Sequence, residues 1–97
     1  MDRDTTIDLL RRHEGELRRM GIERLYLFGS TARDSATAAS DIDLFFDHAH
    51  GRLSLYQLLD IKNRTAAILG SRVDIMSRNS LHPVLRSQIE ASARAVF

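Results

Sequence analysis

The chain has 97 residues, of which 43% are hydrophobic and 28% charged, ordinary values for a globular protein. A net charge of +1 gives no electrostatic case for direct nucleic-acid binding, and the lack of cysteine excludes disulfides and thiolate metal sites. No apolar run approaches the ~20 residues of a membrane-spanning helix, so we expect a single domain, residues 1–97, located in the cytoplasm without membrane contact.

The first third of the chain predicts a helix and a strand. Residues 5–20 have an amphipathic pattern, and Thr5 is placed to cap the start of the helix. The apolar face would consist of Ile7, Leu10, Leu17 and Met20. Gly21 is a natural helix end, and the apolar run 22–28 predicts the first strand.

The middle of the chain predicts a short helix over 29–37, a connector of small residues over 36–40, and a second strand over 41–46. A second amphipathic helix is expected over 54–69, with Ser54 as its cap. Its inward face would carry Leu55, Leu58, Leu59, Ala66 and Leu69.

The last third predicts a short strand over 73–76 and a final helix capped by Ser80, with Pro83 in its first turn. The apolar side of this helix would carry Val84, Leu85, Ile89 and Ala93. Only three strands are available, so the fold class is α/β (α+β), with a small mixed sheet covered by helices mainly on one face.

Two aspartates carry the first chemical signal. Asp41 and Asp43 alternate with apolar residues of the second strand, so their carboxylates should share one face of the sheet. The local sequence offers no Lys or Arg to neutralise them. At ~4 Å and an effective dielectric near 20, their repulsion is about 4 kcal/mol, so a metal cation is expected between them. Asp74, between Val73 and Ile75, would complete a cluster suited to Mg²⁺, or to Mn²⁺ in its place.

Gly29 and Ser30 carry the second signal. A glycine at the end of a strand lets the backbone approach a ligand closely, and the following helix start can hold phosphate oxygens. Carboxylates for a metal and a helix start for phosphates together describe a nucleoside triphosphate site. Arg33 could contact the same phosphates, although packing across its own helix is an equally good interpretation.

Simpler explanations exist for each motif. A Gly-Ser pair is a common turn, and an Asp-x-Asp pair is often a solvated strand edge. His48 and His50 could bind a transition metal, but exposed positions in a polar turn explain them better. The ordered combination of Gly29-Ser30, Asp41-x-Asp43 and Asp74 favours a functional site.

This combination, with ten residues between Ser30 and Asp41, resembles the nucleotidyltransferase superfamily of the DNA polymerase beta type. Gly-Ser-Thr-Ala-Arg and Ser-Asp-Ile-Asp-Leu most resemble the minimal nucleotidyltransferases, the antitoxins paired with HEPN-domain ribonuclease toxins. The resemblance implies metal binding and catalysis by Asp41, Asp43 and Asp74, and triphosphate contacts around Gly29 and Ser30. The family commonly has Gly after the Arg of the turn, where this chain has Asp34, so the path after Arg33 is left open.

Three functions follow from this resemblance. The first is a Mg²⁺-dependent enzyme that transfers AMP from ATP to a hydroxyl, a tyrosine of a partner HEPN toxin, in a hetero-oligomer with that toxin. The second is an antitoxin that acts by steric binding alone, with idle aspartates. The third is a free-standing nucleotidyltransferase acting on a small molecule or an RNA end. Docking of the partner is expected on the first and last helices, away from the chemistry.

Overall fold

Four strands form one mixed sheet in the order β3-β2-β1-β4. The computed structural model describes residues 1–37, 39–49 and 51–97, so position 38 of the predicted connector and the exposure of His50 lie outside the described residues. The strands are β1 (Ile22–Phe28), β2 (Ile42–His48), β3 (Val73–Ser77) and β4 (Arg94–Ala95). β1 pairs antiparallel with β2 and β4, whereas β2 and β3 run parallel.

Five α-helices connect or flank these strands in the described part of the chain. They are α1 (Arg3–Arg12), α2 (Glu14–Arg19), α3 (Gly29–Ala32), α4 (Leu55–Leu69) and α5 (Arg86–Ser92), with a 3₁₀ turn at Arg78–Ser80. None of the described helices is both long enough and apolar enough to cross a membrane. The α+β class and the mixed sheet confirm the prediction, while the count of three strands was one short.

The fourth strand was missed because it is only two residues long. Ala95 and Arg94 pair with Tyr26 and Leu27, and the amide of Leu25 donates to the carbonyl of Phe97 at 3.2 Å. A two-residue strand shows no alternation of apolar and polar residues, so periodicity cannot reveal it.

The main core lies on one face of the sheet, against α1, α2 and α4. Its buried members include Leu25, Leu27, Leu44, Phe46 and Ile75. Phe45 is also only 1% exposed, yet it does not belong to this core cluster because alternation along β2 sends it to the opposite face. That second face carries the predicted aspartates.

The predicted first helix is divided in two at His13, whose φ of −108° is not helical. Asp2, not Thr5, caps α1: its carboxylate accepts a hydrogen bond from the amide of Thr5 at 2.7 Å. The predicted apolar face is confirmed, since Leu10 and Leu17 are fully buried and the other two members are partly buried. The Thr5 prediction was wrong because the helix begins at Arg3, so Thr5 lies inside the first turn and its amide is the donor that the Asp2 cap accepts.

α4 begins as predicted, and Ser54 forms a complete capping box with Gln57. Its buried face was only partly predicted. Leu55 and Leu59 are exposed, and the fully buried positions include Ile61 and Thr65. A threonine can occupy this face because its hydroxyl donates to the carbonyl of Ile61 at 2.9 Å.

The last helix begins at Arg86 rather than near Ser80. Pro83 disfavours helical geometry for the residue before it, so a continuous helix cannot start upstream. Val84 and Leu85, predicted on the apolar side, are therefore held in a turn where both are exposed. The consequence is an apolar corner on the surface.

Two local predictions in the middle of the chain also change. α3 ends after four residues instead of continuing to residue 37, because Asp34 adopts a left-handed conformation with φ of 58°. His48 is not an exposed turn residue, because it ends β2 and is half-buried. Its ring occupies the space that a Cβ atom on Gly21 would need.

Candidate functional site

The Gly29 corner brings the end of β1 against β2. Phe28 pairs with Asp43 across the two strands, and the chain then turns through Gly29 with φ of +74°. A Cβ atom at this position would overlap the Asp43 carboxylate. Both the backbone conformation and the close approach therefore require glycine, which places Asp43 directly beside the start of α3.

Asp43 and Asp74 lie side by side on neighbouring strands. The parallel register of β2 and β3 pairs them directly, so both carboxylates project from the same face of the sheet. Burial raises the pKa of Asp43, and the negative charges of Asp74 and Asp41 raise it further, while Arg33 opposes them. A carboxylate in this environment is stabilised by a proton or by an added cation.

Asp41 is placed differently from the other two aspartates. It precedes β2, is exposed, and forms an ion pair with Arg72 at 3.1 Å. The amide of Ile42 donates to the carbonyl of Arg72 at 3.0 Å, which fixes the two chain segments side by side. The local sequence offers no cation to the two aspartates, as predicted, but Arg72, which directly precedes β3 and lies 31 positions later in the chain, neutralises Asp41.

Across residues 1–37, 39–49 and 51–97, no three acidic, His or Cys side chains converge as a bound metal ion would require. The donor set still fits Mg²⁺ in its chemistry, since all three groups supply carboxylate oxygens and Asp43 has a raised pKa. Asp41 would have to leave Arg72 to join the other two. An ion pair exposed to this degree is easily broken, at a cost of about 0–1 kcal/mol.

The end of α3 leads away from the aspartates into a small cleft. Arg33 is exposed and borders a cleft of ≈ 210 Å³, together with Phe28, Gly29 and Leu85. The carboxylate of Asp34 accepts a hydrogen bond from the amide of Arg3 at 3.2 Å. Asp34 therefore faces the start of α1, and its charge does not point into the Gly29 corner.

Comparison with known proteins identifies the family of the chain. The family model for the nucleotidyltransferase domain matches residues 10–96. The chain belongs to the nucleotidyltransferase family. It is similar to the protein adenylyltransferase MntA of Thermococcus cleftensis, with 35% identity over 75% of this chain and 74% of the relative. The enzyme class predicted from the sequence is thereby confirmed.

Solved structures support the same fold. One described as a minimal nucleotidyltransferase is 36% identical, with a TM-score of 0.81 over 97% of this chain and 95% of the other. A Shewanella oneidensis MNT antitoxin, solved in complex with a tri-AMPylated HEPN toxin, is 23% identical and has a TM-score of 0.67 over 94% of this chain and 71% of the other. At 23% identity, the similarity to the Shewanella oneidensis antitoxin shows a shared fold and nothing more.

One residue that the sequence did not single out holds the site face of this nucleotidyltransferase together. Arg78 donates two hydrogen bonds to Asp47 at 2.8 and 3.0 Å and a third to Glu90 of α5. Its guanidinium also lies over the rings of Tyr26 and Phe45, at 4.9 and 5.1 Å.

These contacts raise the pKa of Arg78, chiefly through the hydrogen bond to Asp47, and lower that of Glu90. Arg78 thus fixes α5 on the face that carries Asp43. No local motif marks such a residue, because its partners come from three separate elements.

Proposed function

We propose that this nucleotidyltransferase transfers the adenylyl group of ATP to a hydroxyl of a partner protein. The observation that carries the proposal is the direct pairing of Asp43 with Asp74 beside the Gly29 corner. The Asp43 carboxyl, whose pKa is raised by burial and by the neighbouring charge of Asp74, lies next to a glycine turn, and this combination suits a triphosphate bound through a cation.

Asp41, Asp43 and Asp74 are the residues that would hold Mg²⁺, or Mn²⁺ in its place. The chemistry that this ion supplies is neutralisation of phosphate charge during an in-line displacement. Gly29 and Ser30 would hold the phosphate tail through their backbone amides and the Ser30 hydroxyl. Arg33, at the border of the cleft, would add a positive charge to the same tail.

The proposed reaction is a single displacement at phosphorus. The acceptor oxygen forms a bond to the α-phosphorus, and the bond between that phosphorus and the α,β-bridging oxygen breaks. The hydroxyl proton passes to Asp74, which is the more exposed of the paired aspartates. Pyrophosphate leaves from the side of Gly29 and Ser30.

We further propose that the acceptor is a tyrosine of a HEPN toxin, which this modification would silence. MntA is named a protein adenylyltransferase, and the Shewanella oneidensis MNT antitoxin is bound to an AMPylated HEPN toxin. Both facts support an acceptor on a separate protein. The described residues form one small sheet with its helices and include no additional lobe that could present an acceptor.

The test is intact-mass spectrometry of a HEPN-domain protein encoded in the adjacent reading frame, incubated with the chain, ATP and Mg²⁺. We expect mass gains in steps of one adenylate, a parallel loss of ribonuclease activity, and no gain in EDTA. Asp43→Asn should remove the mass gain while keeping the fold. The proposal fails if no such reading frame exists, or if the wild-type chain leaves the partner's mass unchanged.

A second candidate is an antitoxin that acts by steric binding alone. The ion pair between Asp41 and Arg72 favours it, because one of the three carboxylates already has a partner within the chain. Asp41→Asn separates the two functions in cells at matched expression. Failure to neutralise the toxin supports the enzyme, and full neutralisation without a mass change supports steric binding.

A further inference from the structure

We propose that the partner protein docks on the α5 groove, the surface formed by Val84, Leu85, Arg33, Ser92 and Arg94 beside the Gly29 corner. The occupant is an acidic segment that carries one apolar side chain, on the protein that presents the acceptor hydroxyl. This inference rests on the proposed function, because it names the surface through which that partner reaches the site.

The apolar end of the groove is an ordered turn. Val84 is 81% exposed and Leu85 is 47% exposed, whereas the preceding Leu81 is only 4% exposed and anchors the turn in the protein. The amide of Leu85 donates to the carbonyl of His82 at 2.9 Å, and the amide of Val84 donates to the His82 ring at 3.2 Å. Two apolar side chains are thus held in water by a fixed backbone, which lowers the entropy cost of binding a partner there.

This apolar turn is continuous with the candidate site. Leu85 lines the ≈ 210 Å³ cleft that also contains Gly29 and Arg33. Arg33 and Ser92 in turn line a second cleft of ≈ 510 Å³ that extends to Arg94. The expectation that the last helix lies away from the chemistry is therefore wrong, because its residues border the Gly29 corner, while docking of a partner on this helix stays a prediction.

The far end of the groove is basic. Arg3, Arg33 and Arg94 all line the second cleft. Within the part of the chain that the structure describes, neither Arg33 nor Arg94 forms an ion pair with a carboxylate. Arg3 contacts Asp4 at a long 3.4 Å. The net charge of the whole chain is only +1, so this positive charge is a local feature, and it complements an acidic partner.

Another exposed apolar patch provides a matched control. Tyr56 on α4 is 80% exposed, almost the same as Val84. Val84 directly precedes Leu85, which lines the ≈ 210 Å³ cleft, whereas Tyr56 and its neighbours in the chain line neither cleft of the groove. If any exposed apolar residue were enough for docking, the two positions would behave alike. If the α5 groove is the docking surface, only Val84 should matter.

The experiment measures binding without chemistry. The HEPN-domain protein of the adjacent reading frame is titrated into the chain in EDTA without ATP, and binding is followed by calorimetry. The double variant Val84→Ser, Leu85→Ser and the single variant Arg94→Glu should each bind at least about tenfold more weakly, as expected when hot-spot residues of an interface are lost. Tyr56→Ser should bind within about twofold of wild type.

Two further measurements exclude indirect effects. Melting temperatures should be unchanged in all variants, since the substituted side chains are exposed, and ATP affinity in Mg²⁺ should be unchanged. Equal partner affinity for the Val84, Leu85 variant and wild type overturns the inference, as does an equal loss in Tyr56→Ser. A loss of ATP affinity in Arg94→Glu would assign the basic end to the nucleotide and also overturn it. Partner binding without any adenylate transfer would instead refute the proposed function and leave the groove intact.

Discussion

The Asp43 carboxylate occupies the space that a Cβ atom on residue 29 would need. The two residues are neighbours only because β1 and β2 pair antiparallel and place Phe28 opposite Asp43. Gly29 therefore has two roles: it allows the chain to turn with positive φ, and it leaves room for an acidic group at the start of α3. The geometry of the corner depends on both residues together.

Substitution of Gly29 by alanine tests this relationship. We expect Gly29→Ala to lower the free energy of unfolding by about 2–4 kcal/mol, from left-handed strain plus displacement of Asp43. Gly70→Ala is the matched control: Gly70 also has positive φ, at 62°, but nothing lies within 4 Å of an added Cβ, so the cost should be about 1 kcal/mol. Urea denaturation measures both. Equal costs would show that Asp43 does not restrict the corner.

Asp43→Asn should be at least as stable as wild type without metal, and the difference should depend on pH. The folded-state pKa of Asp43 is raised above 3.8, so the native state holds this proton more tightly than the unfolded state. The contribution of Asp43 to stability is therefore lost as pH rises from about 3.8 through the folded pKa, and it is constant above that range.

The stability advantage of Asp43→Asn over wild type should accordingly grow across this pH range. Asp2, Glu16 and Glu90 have lowered pKa values and favour the folded state with the opposite pH dependence, but both proteins contain them. Thermal unfolding in EDTA from pH 3 to pH 7 measures the difference. A variant less stable than wild type at neutral pH would identify Asp43 as a structural residue.

Removal of the Arg72 side-chain charge should strengthen metal binding. Arg72→Gln frees Asp41 from its exposed ion pair, which is worth about 0.2–1 kcal/mol, so Mg²⁺ or Mn²⁺ affinity should rise by up to about fivefold. Calorimetric titration with Mn²⁺ in the absence of ATP measures this directly. Arg12→Gln, which breaks the exposed Arg12–Asp8 pair elsewhere, should leave the affinity unchanged. Weaker metal binding in Arg72→Gln would exclude Asp41 as a ligand.

Loss of Arg78 should be far more costly than loss of an exposed arginine. Arg78→Met leaves Asp47 and Glu90 without their shared cation and removes the guanidinium from two aromatic rings, so we expect a cost of about 2–4 kcal/mol. Arg64→Met breaks only the half-exposed pair with Glu16, which two hydrogen bonds of 2.7 and 3.0 Å hold, and should cost about 1 kcal/mol. Urea denaturation measures the free energy of unfolding of both variants. Equal losses would show that Arg78 does not stabilise the packing of α5.

The sequence was sufficient for features that depend on local pattern. Ser54 and Gln57 form the cap that residue type predicts, and Leu10 and Leu17 face the core as helical periodicity requires. The relation between Asp43 and Asp74 was also accessible, because acidic residues flanked by apolar neighbours on two strands are expected to meet when the strands pair.

The sequence was insufficient where distant segments meet. Arg72 neutralises Asp41 from 31 positions away, and Arg78 joins β2 to α5 through side chains alone. The exposure of Val84 also depends on tertiary structure, because its apolar character predicted burial and only the turn at Pro83 reverses it. The ion pair of Arg72, the contacts of Arg78 and the exposure of Val84 all depend on which segments meet in the fold and on turn geometry, and residue type alone does not predict them.

The alternation of β2 has an evolutionary consequence. Ile42, Leu44 and Phe46 face the core, while Asp43 and Asp47 face the opposite side. Because the two sets face opposite sides of the sheet, a lineage could lose the proposed catalytic carboxylate of Asp43 by a single nucleotide change and still inherit the buried core. A single mutation could therefore produce a homologue that keeps the fold but lacks the carboxylate. A survey of natural sequences should contain homologues with and without this aspartate on the same fold.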